Sequence, residues 1–507
     1  MARLFLFAIG GTGARVVKAL TCLLAAGAKI PGIDTVVPIV MDPHTGNLDL
    51  RRAQELLSRY RDIRREAGNP ASGFFGTEIH SLSQEQPASG IPDSFLFQLQ
   101  GAGQTKFRDY IDYGTLDPAN QALASLLFSE QNLERDLDIG FVGHPNMGSV
   151  VLNQFEESPE FRAFTDSFQA QDAVFIVSSI FGGTGAAGFP IILKNIRNSA
   201  NFTLRQARVG AVSLQPYFDV SQPSEGTSAT AAAVIKSTTF LSKTKAALAY
   251  YEQGLTSAKL PRLNALYYLG DEVRNPFPND PGQGGQQNPA HVVELVAALS
   301  VLDFGEGLNG YETVVQNGQA LAKPGTERYR EYSLLEASDG HLTLDHLHAN
   351  TLRQVAGPLT QLALLSHYLR QRLPAALSDP KLAWVNDAPR LDRSFLGSQF
   401  FQALQKFDEH FRVWLDEMAG HTFHGFAPFV FTENLAKLVQ GGKYQPKPSG
   451  FLIKKEPNLT FVDDFDAKLN KESRGRQFVN APRKFMELMH DATRQLVGEV
   501  TTNLPVS

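Results

Sequence analysis

The sequence predicts an α/β protein with a largely parallel sheet over residues 1–310 and a mainly α-helical C-terminal domain over residues 311–507. Three observations carry this. Short apolar runs alternate with helix-length segments through the first unit, the pattern of strands joined by crossover helices. Two glycine turns, Gly10-Gly11-Thr12-Gly13 and Gly182-Gly183-Thr184-Gly185, each follow an apolar run and precede a helix-like stretch. Beyond residue 330 the 3.6-residue period of helices dominates.

In chain order, Leu4-Phe5-Leu6-Phe7-Ala8-Ile9 places a strand at residues 3–9, and Ala14-Arg15-Val16-Val17-Lys18-Ala19-Leu20 a helix at 12–27. Further strands are expected at 35–41, 138–142, 172–179, 208–214 and 264–269, with helices at 118–136 and 226–253. Residues 66–117, rich in Gly, Ser, Pro and Gln, read as an irregular insertion, and the Pro/Gly/Asn-rich stretch 274–289 as a loop. Helical periodicity returns at 357–377, 396–418 and 482–498, with only a short strand-like piece at Phe426 to Phe431. No repeat of solenoid period is present.

The 507 residues exceed one ordinary core, and at about 100–200 residues per domain they suggest two to four units. Hydrophobic residues at 43% and charged residues at 20% are those of a soluble globular chain, and a net charge of −5 gives no drive toward nucleic acid or anionic lipid. The single cysteine, Cys22, excludes an intramolecular disulfide and lies in an apolar helix, where a buried structural thiol is expected. The N-terminal apolar run is cut by Gly10 and Gly11 and lacks a signal-peptide pattern, and no stretch reaches the roughly 20 apolar residues of a membrane span. A cytoplasmic protein is the expectation.

Glycines let backbone N–H groups approach an anion, and the positive end of the following helix dipole adds attraction for phosphate. Two such turns would grip one polyphosphate from two sides. The G-x-G-x-x-G fingerprint of dinucleotide sites is absent, as is the Gly-Lys-Ser/Thr ending of a P-loop, because Ala14 follows Gly13 and Ala186 follows Gly185. Phosphate charge would then be met by backbone amides, a helix dipole and Mg²⁺.

The arrangement resembles the tubulin/FtsZ superfamily, and within it the divergent bacterial tubulin-like proteins. Members carry a glycine turn after the first strand and a downstream G-G-G-T-G-S/T-G signature. Here that region reads Phe181-Gly182-Gly183-Thr184-Gly185-Ala186-Ala187-Gly188, matching at four central positions, and the N-terminal turn has Arg15 where asparagine is usual. The resemblance covers residues 1–310 and implies a Rossmann-like, tubulin/FtsZ-type GTP-binding domain. It implies that Gly10, Gly11, Thr12, Gly13, Gly182, Gly183, Thr184, Gly185 and Ala186 hold phosphate, and that Asp42 assists through Mg²⁺ or water, a turn residue before Pro43 being the alternative. Residues 144–149, with His144, Asn146 and Gly148, occupy the place of the loop that senses the terminal phosphate; an internal hydrogen bond is the other reading of His144.

By the same resemblance Asp271 and Asn288 stand where the family reads guanine, each also explicable as a cap or turn residue. Family hydrolysis uses an acid beyond the central helix of a neighbouring subunit. The N-x-D-x-x-D pattern is absent, and of Glu294 and Asp303 within that helix and Glu306 and Glu312 beyond it, Glu306 is the catalytic candidate. The helical C-terminal domain has no counterpart in the resemblance. Arg51, Arg52, Arg59, Arg61, Arg64 and Arg65, interleaved with acids, read as a solvated helix, the alternative being a face for an acidic partner. The basic run from Lys468 to Lys484 is offset by Asp463, Asp464, Asp466 and Glu472. His341, Asp345, His346 and His348 do not converge on one ion at helical spacing, and His421 and His424 have no further ligands in sequence.

The expected function is a GTP/GDP-binding protein with Mg²⁺ that self-assembles as a homo-oligomer or filament, with GTPase activity at subunit interfaces. An alternative is a nucleotide-gated subunit of low turnover that recruits protein partners through its helical domain. A dinucleotide oxidoreductase is disfavoured by the missing third glycine.

Overall fold

A computed structural model describes residues 2–43, 46–97, 105–137, 140–141, 143–221, 237–256, 263–277, 287–308, 313–316, 319–322, 341–347, 349–432, 437–442 and 461–501. The chain opens with β1 (Arg3–Ile9), α1 (Gly10–Ala25), β2 (Thr35–Met41) and α2 (Leu48–Glu66). Short elements follow: β3 (Glu78–Ile79), α3 (Leu82–Glu85), β4 (Leu96–Phe97), α4 (Phe107–Tyr110), α5 (Pro118–Leu127), α6 (Glu130–Leu133), α7 (Pro145–Leu152) and α8 (Pro159–Ser167). The second half of the sheet unit contains β5 (Ala173–Ser179), α9 (Gly183–Asn198), α10 (Phe202–Arg205), β6 (Arg208–Leu214), β7 (Asp219–Val220), α11 (Phe240–Thr256), β8 (Ala265–Leu269), β9 (Pro276–Phe277) and α12 (Val292–Gly307).

Among the described residues the central sheet has seven strands in the order β3-β2-β1-β5-β6-β8, with β4 also on β2, and every pairing is parallel. Both faces are covered, so β1, β2 and β5 are buried along their whole length, which is why they read as continuous apolar runs. Pro38 is tolerated inside β2. Val40 N–H donates outward to Phe95 O, so by the two-residue alternation the Pro38 nitrogen faces the same edge, in the gap between β3 and β4.

Phe5 and Phe7 pack edge-on against Phe164 of α8 on one face, while Phe175 meets Phe304 of α12 on the other. Cys22 is fully buried, and burial pushes its thiol up to about 12.

The C-terminal region is mainly helical: α13 (Ala349–Gln371), α14 (Leu373–Ala376), α15 (Ala383–Asn386), α16 (Gln399–Ala419), α17 (Phe461–Ser473) and α18 (Ala481–Val500). Ser398 and Asn480 cap α16 and α18 by accepting from Phe401 N–H and Arg483 N–H. These helices lie on the α1/α2 side. Glu417 of α16 accepts from Lys18 of α1, Arg52 of α2 and the Ala290 N–H before α12, and buried residues of both regions form one continuous cluster.

Several expectations are corrected. The 66–117 segment is not merely an insertion, since it supplies β3 and β4 to the sheet edge. The 118–136 helix breaks into α5 and α6 where Ser129 caps anew. Within the 274–289 loop, Pro276 and Phe277 pair with Asp219 and Val220. Residues 140 and 141 are not in a strand, and the rest of 138–142, apart from these two, lies outside the described residues, as do 226–236 of the long helix. The arginine-rich helix is α2, yet it is not simply solvated: Arg64 is buried on the carbonyls of Phe75 and Gly76. His341 lies in a short strand and Asp345 and His346 in a tight turn beside Thr343, while His348 and Glu312 lie outside the described residues.

Candidate functional site

β1 leads through α1 to β2 on one side, and β5 through α9 to β6 on the other. The chain therefore reverses its direction of spread between β1 and β5, and crevices for ligands in open parallel sheets form at the carboxyl ends of the strands flanking such a point. Both glycine turns stand there. Gly10, directly after β1, has φ +76°, a left-handed conformation suited to glycine, and Gly182 follows β5 as the residue before α9. A Cβ built on Gly10 would lie 3.6 Å from Thr184 Cβ, 3.8 Å from Gly185 N and 3.9 Å from Asp42 Oδ2. Folding thus brings Gly10, Thr184, Gly185 and the end of β2 together from three separate stretches of chain.

Neither α1 nor α9 is capped by a side chain, so their first-turn N–H groups are turned toward the crevice without the Ser, Asn or Asp acceptor used at α2, α5, α8, α16 and α18. Gly13 serves packing: a Cβ there would stand 2.7 Å from Ala8 C, so α1 crosses β1 at a distance only glycine allows.

The third loop comes to the far side of α9. A Cβ on Gly183 would fall 2.9 Å from Phe141 Cβ and 3.0 Å from the backbone nitrogens of Gly143 and His144. His144 precedes α7, and its imidazole is pushed down to about 4 by burial and by the charges of Arg135 and Lys243, so it is neutral at pH 7. Its Nδ1 lies 3.4 Å from Asn132 Nδ2. Gly148 lies where α7 crosses α9, against Gly183 O, and Asn146 donates to Leu127 O of α5. Ala186 O accepts from Tyr251 of α11.

The base-side candidates separate. Asn288 N–H donates to Asp49 Oδ1, which belongs to a buried cluster beside Gly11: Arg15 reaches Asp49 at 2.7 Å, Glu294 at 2.5 Å and Tyr217 Oη at 2.8 Å. Burial opposes the charge on Arg15, but Glu294, Tyr217 and Asp49 overcome it and hold it well above its usual range. Asp271 instead faces the C-terminal region, accepting from Glu272 N–H and lying 2.8 Å from His424 Nδ1. His421 Nε2 lies 2.8 Å from Ala290 O.

Glu306 is in the last turn of α12 rather than beyond it, and is exposed. Its neighbour Gly305 packs on Ile30 and Pro31, in the connection from α1 to β2. The glycine turns are toward the other end of the sheet, and Glu306 stands about 21 Å along α12 from Val292 at its start. Among the described residues no three His, Cys, Asp or Glu side chains form a metal group, and no helix is long and apolar enough to cross a membrane.

Sequence reasoning passed over Lys243 and Arg135, which border the third loop, and treated Arg15 only as a departure from the resemblance. Nothing local in Ser242-Lys243-Thr244-Lys245 announces the loop a hundred residues upstream. The fold and site define a parallel-sheet α/β protein of Rossmann-like strand order with a helical C-terminal region. No protein-family model matches the chain, and no curated protein matches it.

Proposed function

We propose that this chain is a guanine-nucleotide-binding protein of tubulin/FtsZ-like kind that holds GTP or GDP with Mg²⁺ and self-associates according to the nucleotide bound. The observation that supports this best is the meeting of two glycine turns, each opening a helix without a side-chain cap, across the β1/β5 crevice. Residues 10–13 and 182–186 would donate backbone N–H groups to phosphate, and the Gly143–His144 turn would stand against its outer end. Asp42, with Oδ2 facing Gly10, suits Mg²⁺, which takes one or two carboxylates together with phosphate oxygens and water. Mg²⁺ would neutralise phosphate charge there.

For the base, Asn288 beside Asp49 is favoured over Asp271, whose two carboxylate oxygens are engaged by Glu272 N–H and His424. Glu306 lies too far from the turns of its own chain to act there, so hydrolysis through it requires a second copy stacked end to end. A nucleotide-gated recruiting subunit is the second reading. It is favoured by Glu417, which ties the helical region directly to α1 and to the entry of α12.

Light scattering and pelleting with GTP, GDP, ATP or no nucleotide, with released phosphate followed in the same samples, test the proposal. Assembly and phosphate release specific to GTP support the first reading, GTP binding without either the second. Failure to bind GTP in the presence of Mg²⁺ overturns both.

A further inference from the structure

Lys243, in the first turn of α11, stands beside the third loop as a cation without a counter-ion among the described residues. Its amine forms no hydrogen bond or ion pair with any described residue, although the side chain is half-buried. Burial and the charge of Arg135 both push it below the usual lysine range, and among the described residues no carboxylate offsets them. Its Nζ would lie 2.7 Å from a Cβ on Gly143, the turn glycine whose nitrogen abuts Gly183. Lys243 also lines, with Gly182, Phe181, Asn146 and Tyr250, a groove of about 360 Å³ between α7, α9 and α11.

A half-buried ammonium beside a second cation is costly unless an anion completes the site. Asp42 stands on the Gly10 side of the α9 N-terminus and Lys243 on the Gly143 side, so the crevice is polarised along the direction a polyphosphate would lie. We propose that Lys243 binds the outermost phosphate of a nucleoside triphosphate, and that α11 is thereby the element that distinguishes triphosphate from diphosphate. The proposal rests on the nucleotide-binding reading above. Lys243 supplies from a distant helix the charge that a P-loop supplies from its own lysine.

Affinities of wild type, Lys243→Ala, Lys243→Gln and Lys243→Arg for GTP, GDP and inorganic tripolyphosphate, measured by titration calorimetry with Mg²⁺, test it. Lys245→Ala, an exposed change in the same helix, is the control. Loss of a charge-assisted contact should weaken GTP and tripolyphosphate about tenfold to a hundredfold, leave GDP within about twofold, and be largely restored by arginine. Equal weakening of GTP and GDP, or no change in either, overturns the role of Lys243 while leaving nucleotide binding intact. Wild type that binds tripolyphosphate through Lys243 but not GTP defeats the guanine-nucleotide reading alone. Binding of neither defeats both. Thermal melting of each variant separates loss of the contact from loss of the fold, since Lys243→Gln keeps most of the side-chain length.

Discussion

Arg15 Nε lies 2.5 Å from Glu294 Oε1, joining the first helix of the chain to the central helix 279 residues later. Asp49, Tyr217 and Thr12 complete the guanidinium's partners, and the cluster is closed to water. Arg15→Leu should therefore leave two carboxylates buried without their cation and destabilise the protein by about 3–5 kcal/mol. Urea unfolding of the variant measures this, and a loss under about 1 kcal/mol would show that the cluster is solvated.

Gly183→Val adds a side chain where Phe141 Cβ and the nitrogens of Gly143 and His144 already stand within about 3 Å. The third loop must move away from α9, and nucleotide binding should be lost while the sheet still folds. Calorimetry with GTP, paired with circular dichroism, checks both halves. Normal GTP binding would remove the second glycine turn from the site.

Asp271→Ala should lower the melting temperature, because it strips His424 of its partner between the β8 end and the C-terminal region. Base selectivity, measured by competition of GTP against ATP, should change little. A large loss of guanine preference with unchanged melting would return Asp271 to the base site.

Buried histidines give the acid side of the stability profile. His144 and His367 are both pushed down to about 4, each chiefly by burial, with Arg135 and Lys243 adding to it at the first and Arg412 at the second. His291 is held well below its ordinary range by burial and by His421, His424 and Arg15. The unfolded chain therefore takes up protons below pH 6.5 that the native state refuses, so this contribution is complete above pH 6.5 and is lost as pH falls toward 4. In thermal melts across that window, wild type should lose stability faster than His367→Leu. Parallel slopes would mean that His367 is protonated in the fold.

The strands at 3–9, 35–41, 172–179 and 208–214 were legible because strands buried on both faces must be apolar throughout, and the partly exposed edge strand at 264–269 because its run Ala265-Leu266-Tyr267-Tyr268-Leu269 is continuous; each stands within a residue of its expected bounds. The glycine turns were legible for a related reason: a turn of positive φ, and a helix packed on its own strand, exclude side chains. The β3 and β4 edge was not legible, since two-residue strands acquire their form from β2 rather than from any period of their own. Arg64 could not be told from its solvated neighbours for the same reason, its carbonyl acceptors lying beyond the end of its helix.

By itself the sequence determined the parallel-sheet α/β class, the helical C-terminal region and the two strand–glycine turn–helix units, all of which follow from local periodicity and backbone sterics. Only the tertiary structure decided that the two turns meet at one crevice, that Asp271 belongs to His424, that Glu306 stands at the opposite end of the sheet, and that Lys243 comes to the third loop. Those relations are set by strand order and by burial of charge across distant segments, and neither leaves a local signature in the chain.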